Sequence, residues 1–287
     1  MGVTRKQAEN ISAVLAEGLP YIQKFYGKII VIKYGGAAMS DNSLKKGFAR
    51  DIALMKLVGM KPVVVHGGGP QIARELKKAG VVSEFKSGLR VTDKSTMRVV
   101  EKILGIQINN EISNLISKSG APAKGLNFKN CGLIKASKLN TVNNEDLGLV
   151  GKVNRIKIQE IKKLLSKGIV PVISPIGLDS NLQSLNINAD VVAGKVAQAL
   201  KAEKLILLTD VKGINDKNGK ILSKVSPTKA NKILKNGIVN GGMTPKLLAA
   251  VESTKGGVKS AHIIDGRIPH ALMLEILTKE GVGTLIS

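Results

Sequence analysis

Residues 28–36 read KIIVIKYGG, and the pattern this stretch opens constrains the chain more than any other. Ile29–Ile32 is a β-branched run with no polar alternation. KPVVVH (Lys61–His66), IVPVI (Ile169–Ile173), Lys204–Leu208 and Ser260–Ile264 repeat it, and Thr284–Ile286 is a short closing run. Helical patterns lie between them, at Asn42–Leu57, Pro70–Ala79, Thr92–Ser117, Ala189–Leu200, Pro245–Ser253 and 268–280. A strand that is apolar on both sides must be buried on both faces. Its alternation with helices predicts an α/β fold, a three-layer αβα sandwich around a central, mainly parallel sheet. Residues 121–154 are polar and turn-rich, which predicts hairpins on an edge. Residues 4–19 form an amphipathic extension ahead of the first strand. Ala8, Ile11, Leu15, Leu19 and Ile22 keep helical spacing, Thr4 and Gln7 suit a capping box, and Pro20 is the expected breaker. This helix either packs on its own domain or pairs with another subunit.

A length of 287 residues suits one large domain or two lobes. Aromatic residues are only 2% and Trp is absent, so the core must be built from Ile, Leu, Val and Ala. A single cysteine, Cys131, excludes an internal disulfide and a Cys-rich metal site. His66, His262 and His270 are far apart and lack HExxH spacing, so no zinc site is expected. No stretch approaches the roughly 18 apolar residues that cross a bilayer. The first twenty residues carry Glu9 and Glu17 and lack the apolar centre of a signal peptide. The expectation is a cytoplasmic protein with no membrane partner. The net charge of +23 raises the question of nucleic acid. Only seven of the 44 basic residues are arginines, however, and the lysines are spread along the whole chain. Aromatic stacking platforms are nearly absent. A solvated, lysine-rich surface without a nucleic-acid partner is therefore expected.

Ligands of open α/β sheets sit at the carboxyl ends of the strands. The glycines collect at such junctions: Lys33-Tyr34-Gly35-Gly36, His66-Gly67-Gly68-Gly69-Pro70, and Asn240-Gly241-Gly242-Met243-Thr244-Pro245-Lys246. Glycine lets backbone N–H groups approach an anion with no Cβ in the way. The prolines suit a first helical turn, and each helix N-terminus adds its dipole. In a Walker-type loop the lysine follows the glycines, whereas Lys33 precedes them on the strand. GxxxxGK[ST] does not occur, and GGGPQI misses the dinucleotide pattern at Ile72. Phosphate binding of another kind is predicted. NINAD, Asn186–Asp190, opens a helix, and Asp190 reads as a cap or as an acid that orients Lys33 and Lys246. In GLRVTD, Gly88–Asp93, Arg90 reads as a bidentate carboxylate ligand or as half of a surface ion pair.

KYGG, VHGGGPQI, GLRVTD, NINAD, AEKLILLTDVKG, GGMTPK and HIIDGRIPHALMLEI follow one another in order. In this the chain resembles the acetylglutamate kinase group of the amino-acid kinase family, from about Pro20 to Ser287. The resemblance implies transfer of the ATP γ-phosphate to the side-chain carboxylate of N-acetyl-L-glutamate, the second step of arginine biosynthesis. It implies Mg²⁺ carried on the nucleotide, with no metal ligand from protein side chains. It also implies a division into an interlacing helix (1–27), an acetylglutamate-binding lobe (28–185) and an ATP-binding lobe (186–287). By the same resemblance Lys33 meets the transferring phosphoryl group, Lys246 meets the nucleotide phosphates, and Asp190 organises both. Gly36 and Gly68 supply backbone donors, while Gly35 and Gly67 shape their loops, Gly35 on the ATP side and Gly67 on the acetylglutamate side. Arg90 and Asn186 hold the substrate, and Thr209, Asp210 and Gly213 belong to the nucleotide lobe. A carboxylate of pKa near 4.3 is already ionised at neutral pH, so no general base is required. That suits a chain with no catalytic histidine or nucleophile triad in view.

The amino-terminal helix resembles that of the arginine-inhibited members, whose dimers interlace into a hexamer, a trimer of dimers. Tyr21, Lys204, Glu275 and Gly283 match the region that binds arginine in those enzymes. Some relatives also bind a nitrogen-signalling protein of the PII type. The chain departs from the family pattern in KGLNFKNCGLI (Lys124–Ile134), at Thr244 and at Lys279. The rival readings are a kinase for carrier-linked aminoadipate or glutamate and a non-catalytic effector-binding relative.

Overall fold

The computed structural model describes residues 4–39, 41–86, 88–128, 132–139, 146–216, 219–239, 241–279 and 281–287. Cys131 and Asn240 lie outside these, as do the side chains of Gln7, Ala8, Ile11 and Leu15. Helix α1 (Arg5–Phe25) leads into β1 (Ile29–Tyr34), a 3-10 turn (Gly36–Met39), α2 (Asn42–Leu57), β2 (Lys61–His66) and α3 (Gly69–Lys78). A ribbon of β3 (Phe85–Lys86) and β4 (Leu89–Arg90) precedes α4 (Lys94–Lys102), a π-helical turn (Ile103–Ile108) and α5 (Asn109–Lys118). Next come β5 (Ala123–Leu126), β6 (Ile134–Lys138), β7 (Gly151–Ile156), α6 (Gln159–Ser166), β8 (Val170–Ile173), β9 (Ile176–Leu178) and β10 (Ser184–Asn186). They are followed by α7 (Ala189–Leu200), β11 (Lys204–Thr209), β12 (Lys224–Val225) and α8 (Pro227–Lys235). The chain closes with α9 (Met243–Lys255), β13 (Ser260–Asp265), α10 (Ala271–Leu277) and β14 (Gly283–Ile286).

An eight-stranded sheet runs β12-β14-β13-β11-β1-β2-β8-β5. Every neighbouring pair is parallel except β13 with β14. The period of two along each strand divides the apolar runs between two cores. Ile30, Ile32, Val64, Ile206 and Ile264 pack with residues of α2 to α5 and α10. Val31, Val63, Leu205, Leu207 and Ile263 pack with residues of α7 to α9. This is the expected αβα sandwich, and full burial of each such side chain stabilises it by about 1.5–3 kcal/mol. A second sheet, β10-β9-β6-β7, packs Ile134 and Leu185 against the second core. Among the described residues no helix is long and apolar enough to cross a membrane.

The structure corrects several expectations. Helix α1 does not stop at Pro20 but continues to Phe25. One lost helical hydrogen bond is outweighed by packing, because Phe25 is buried in the first core and Tyr21 packs beside it. The expected helix over Thr92–Ser117 begins two residues later, at Lys94, where Asp93 caps it by accepting from the Thr96 N–H at 2.7 Å. Its middle then widens into the π-helical turn. Among the described residues of 121–154 only β6 and β7 form a hairpin, while β5 joins the main sheet as a parallel edge strand beside β8. The last helix is confined to Ala271–Leu277, since Pro269 and a left-handed His270 (φ 57) precede it. Helices α6 and α8 were not foreseen, although Ser226 followed by Pro227 carries an N-cap and first-turn signal.

Candidate functional site

Alternation along β1 decides where Lys33 points. It shares a face with Val31, toward α7, and sits at the carboxyl end of the strand between β2 and β11. At the start of α7, Asn188 is the cap, its Oδ1 accepting from the Asp190 N–H at 2.7 Å. Asp190 is thereby free of capping and faces the sheet. Lys33 Nζ lies 3.0 Å from Asp190 Oδ1, and Lys246 Nζ, from the first turn of α9, donates to Oδ2 at 3.2 Å. Lys246 also donates to the Gly242 carbonyl at 3.1 Å. All three side chains are largely buried. Burial alone would push the Asp190 carboxyl up, but the two ammonium groups, Lys33 foremost, hold it below the usual carboxylate range. The result is an array of two fixed positive charges and one negative charge.

A cleft of about 350 Å³ opens over this array. Its wall includes Lys33, Gly36, Asp190 and Lys246 together with Gly67, Gly68, Arg90 and Asn186. Thr209 and Asp210 also border it, with Thr209 donating to Asp210 Oδ1 at 3.1 Å. Gly35 and Gly213 are not on the wall. Gly36 adopts φ +71, a left-handed conformation that suits glycine. The Gly67 N–H donates to the Tyr34 carbonyl at 2.7 Å, so it ties the first two glycine loops together and is not a free donor for a ligand. The Gly68 N–H has no acceptor among the described residues.

Gly68 is also held from behind. A Cβ there would lie 2.5 Å from Leu104 Cδ2 and 2.5 Å from Ile108 Cδ1, both on the π-helical turn. Gly68→Ala must therefore push back these two side-chain ends or shift the loop off them. Such a shift is expected to lower turnover by roughly 10²-fold, with a stability loss of only about 1–3 kcal/mol. Steady-state kinetics beside a denaturant melt measures both.

Arg90 is buried, stacks on Phe85 with its guanidinium 4.5 Å from the ring centroid, and donates to the Gly69 carbonyl at 3.1 Å and to Ser83 Oγ. No carboxylate pairs with it among the described residues, so the surface ion-pair reading is set aside. Burial pushes its pKa down, yet a guanidinium stays charged. A buried cation beside a cleft and without an internal counter-ion suits an anionic ligand. Thr92, which the sequence reading passed over, joins the two substrate candidates: its hydroxyl donates to the Arg90 carbonyl at 2.8 Å and accepts from Asn186 Nδ2 at 3.1 Å.

The four effector candidates gather around the junction of α1, β11, β13 and α10. Lys204 Nζ donates to His262 Nε2 at 2.9 Å and lies 5.1 Å from the Phe25 ring centroid. His262 Nδ1 donates to Glu275 Oε1 at 2.5 Å, and Glu275 Oε2 accepts the Val282 N–H at 3.0 Å. Gly283 opens β14, opposite Ile264, and Tyr21 packs against the first core from α1. Burial pushes Lys204 and His262 down, whereas His262 holds Glu275 low despite its burial. His262 was not among the sequence candidates; its signal was a polar residue in the apolar strand SAHIID. Thr244 donates to the Val239 carbonyl at 3.2 Å, and Lys279 lies beyond the end of α10.

His66 is fully buried, and burial pushes its imidazole down to about 4. A depressed histidine contributes stability that is present above its unfolded pKa, near 6.5, and is lost as pH falls. Between pH 7 and 4.5 this one group is expected to remove about 2–3 kcal/mol. Denaturant unfolding at both pH values, compared with His66→Asn, isolates the contribution, since the variant lacks the titrating ring.

The sequence profile described as "Amino acid kinase family" matches residues 28–265. The acetylglutamate kinase of Hydrogenovibrio crunogenus is 52% identical over 296 residues, covering 100% of this chain and 99% of that protein. That of Stutzerimonas stutzeri is 50% identical, with the same coverage. Among solved structures, N-acetylglutamate synthase from Neisseria gonorrhoeae, complexed with coenzyme A and N-acetyl-glutamate, superposes with a TM-score of 0.87 at 24% identity. The match covers 96% of this chain but 63% of the synthase, and it speaks for the fold alone. The Streptococcus mutans UA159 protein smu.665 matches with a TM-score of 0.77 at 30% identity, covering 90% of this chain and 98% of that one. The chain belongs to the amino acid kinase family, beside acetylglutamate kinases that match it end to end.

Proposed function

We propose that this protein transfers the γ-phosphate of ATP to the side-chain carboxylate of N-acetyl-L-glutamate, giving N-acetyl-L-glutamyl 5-phosphate and ADP, in the second step of arginine biosynthesis. The observation that carries the reading is one cleft whose wall holds Lys33 and Lys246, pinned by Asp190, together with the buried Arg90, which no carboxylate pairs among the described residues. Arg90 and Asn186 hold the acetylglutamate, with the Gly68 N–H directed at its reacting end. Lys246, Thr209 and Asp210 take the nucleotide from the 186–287 lobe, and 28–185 takes the acceptor. Gly35 and Gly213 act indirectly, by shaping loops. A carboxylate oxygen attacks the γ-phosphorus while the bond to the β-phosphate oxygen breaks. No proton need move, so the chain's task is to bring an anion against a polyanion in line. Lys33 and the Gly36 and Gly68 amides would stabilise charge on the equatorial oxygens. Asp190 and Asp210 are the carboxylates on the cleft wall among the described residues, and lysines occupy both oxygens of Asp190. Magnesium therefore fits as a passenger of the phosphates, where it would neutralise charge, rather than as an ion held by the chain.

Feedback inhibition by arginine is part of the same proposal. The chain from half-buried Lys204 to the buried His262 and Glu275, against α1, supports it, because an arginine there would engage Glu275 and alter the packing of α1. A hexamer interlaced through residues 1–27 is the assembly this reading carries, with a cytoplasmic location and room for a PII-type partner. A coupled ADP-release assay with N-acetyl-L-glutamate, with and without millimolar arginine, tests it. Turnover suppressed by arginine supports both parts. Turnover indifferent to arginine removes the effector site and keeps the kinase. No turnover, with ATP still bound, favours a carrier-linked substrate or a non-catalytic role.

A further inference from the structure

The fully buried His66 has no part in the chemistry above, yet both of its ring nitrogens are engaged. Nδ1 lies 2.9 Å from the Gly67 carbonyl, which can only accept, so Nδ1 carries the proton. Nε2 then accepts from Asn109 Nδ2 at 3.1 Å, and the same amide nitrogen donates to the Val172 carbonyl at 2.9 Å. Asn109 is the first residue after the π-helical turn that also backs Gly68. No peptide bond is cis among the described residues, so the Gly67 C=O and the Gly68 N–H point in opposite directions. With the carbonyl tied down to the buried ring, the N–H is turned away from the core, and both Gly67 and Gly68 border the cleft.

The geometry points to His66 as a positioning residue: Asn109 selects its Nδ1–H tautomer, and that tautomer fixes the Gly67–Gly68 peptide so that the Gly68 N–H faces the acceptor carboxylate. The inference rests on the proposed function for the identity of that acceptor. If the peptide flipped, it would present a carbonyl oxygen to an anion. The hydrogen bond from the buried ring to the Gly67 carbonyl opposes this.

Two measurements test it. The first is nitrogen NMR of the histidine-labelled protein at pH 7, which reads the tautomer without any reference to activity. A protonated Nδ1 and a bare Nε2 on His66 are expected; a protonated Nε2 overturns the inference even if the enzyme is fully active. The second is a variant series read by acetylglutamate affinity and by kinetics. His66→Leu is expected to weaken kcat/KM for acetylglutamate by 10²-fold or more while the ATP Kd changes less than threefold. His66→Asn, whose Nδ2–H reaches the place of Nδ1–H, is expected to recover to within tenfold of the wild type. Equal damage in both variants, or none in His66→Leu, rejects the role. If His66→Leu does not fold, Asn109→Asp decides. Its carboxylate favours a proton on Nε2, so neutral His66 loses the bond to Gly67. That variant is expected to lose activity as pH rises through 6 to 9, where the wild type is flat; an unchanged profile counts against the inference. A wild type that binds no acetylglutamate would defeat the proposed function, while the NMR result still judges the tautomer.

Discussion

Lys33→Ala is expected to lower kcat by roughly 10³-fold or more while the protein stays folded. A single preorganised charge or donor aimed at a transition-state oxyanion is commonly worth 10²–10³ in rate. Lys33 is held more firmly than most such groups. It is the penultimate residue of a central strand whose neighbours on both sides are parallel and buried, and Asp190 lies 3.0 Å from its ammonium. Removing it does not strand the carboxylate, because Lys246 still pairs with the other Asp190 oxygen at 3.2 Å. The large penalty for an unpaired buried charge is thus avoided. The ATP Kd is expected to change little compared with kcat, since Lys246 and the nucleotide lobe remain. ADP release under saturating substrates, a thermal melt and an ATP titration separate the three quantities. A variant within tenfold of the wild-type kcat would mean that the transferring phosphoryl group lies elsewhere.

The contrast between Lys33 and Pro20 shows what could be read from the sequence. Lys33 was legible because strand period and strand end are local properties: a β-branched run, its last polar residue and the glycines after it stand side by side in the chain. The same holds for Ala189–Leu200 and for Lys204–Leu208, which follow from their apolar runs, although the cap of that helix is Asn188 and not Asp190. Pro20 misled because the propensity of one residue was set against packing by Phe25, which is decided by residues far away in the chain. Edge strand β5 was misread for a related reason. AKGL has no apolar run of its own and becomes a strand only because β8 offers it a parallel partner. At the site, the paired lysines and Arg90 were visible as residue types, but their partners were not. His66 looked like a residue without a task, Asn109 lies in no motif, and Thr92 and His262 stand inside GLRVTD and HIIDG without a role that the motif reveals. Their importance comes from hydrogen bonds across 43, 94 and 58 positions, which no local pattern encodes.

Asp190→Asn separates charge from shape in the lysine array. Asparagine keeps the volume and can still accept from one ammonium, so α7 and its Asn188 cap need not move. What changes is the sum of charges. Two buried ammonium groups that shared one carboxylate would now repel each other without compensation. The repulsion drives the two ammonium groups apart and off the places where the carboxylate held them over the cleft. The expected kcat is lower by about 10²-fold, with a smaller loss of folding stability, because the volume of the side chain is kept. Steady-state kinetics beside thermal melts, repeated with Asp190→Ala, separate the two effects. Loss of the negative charge predicts a similar fall in kcat in both variants and a larger fall in melting temperature in Asp190→Ala alone. If Asp190→Asn kept the wild-type kcat, Asp190 would be acting by shape alone, and the two lysines would not depend on its charge for their places.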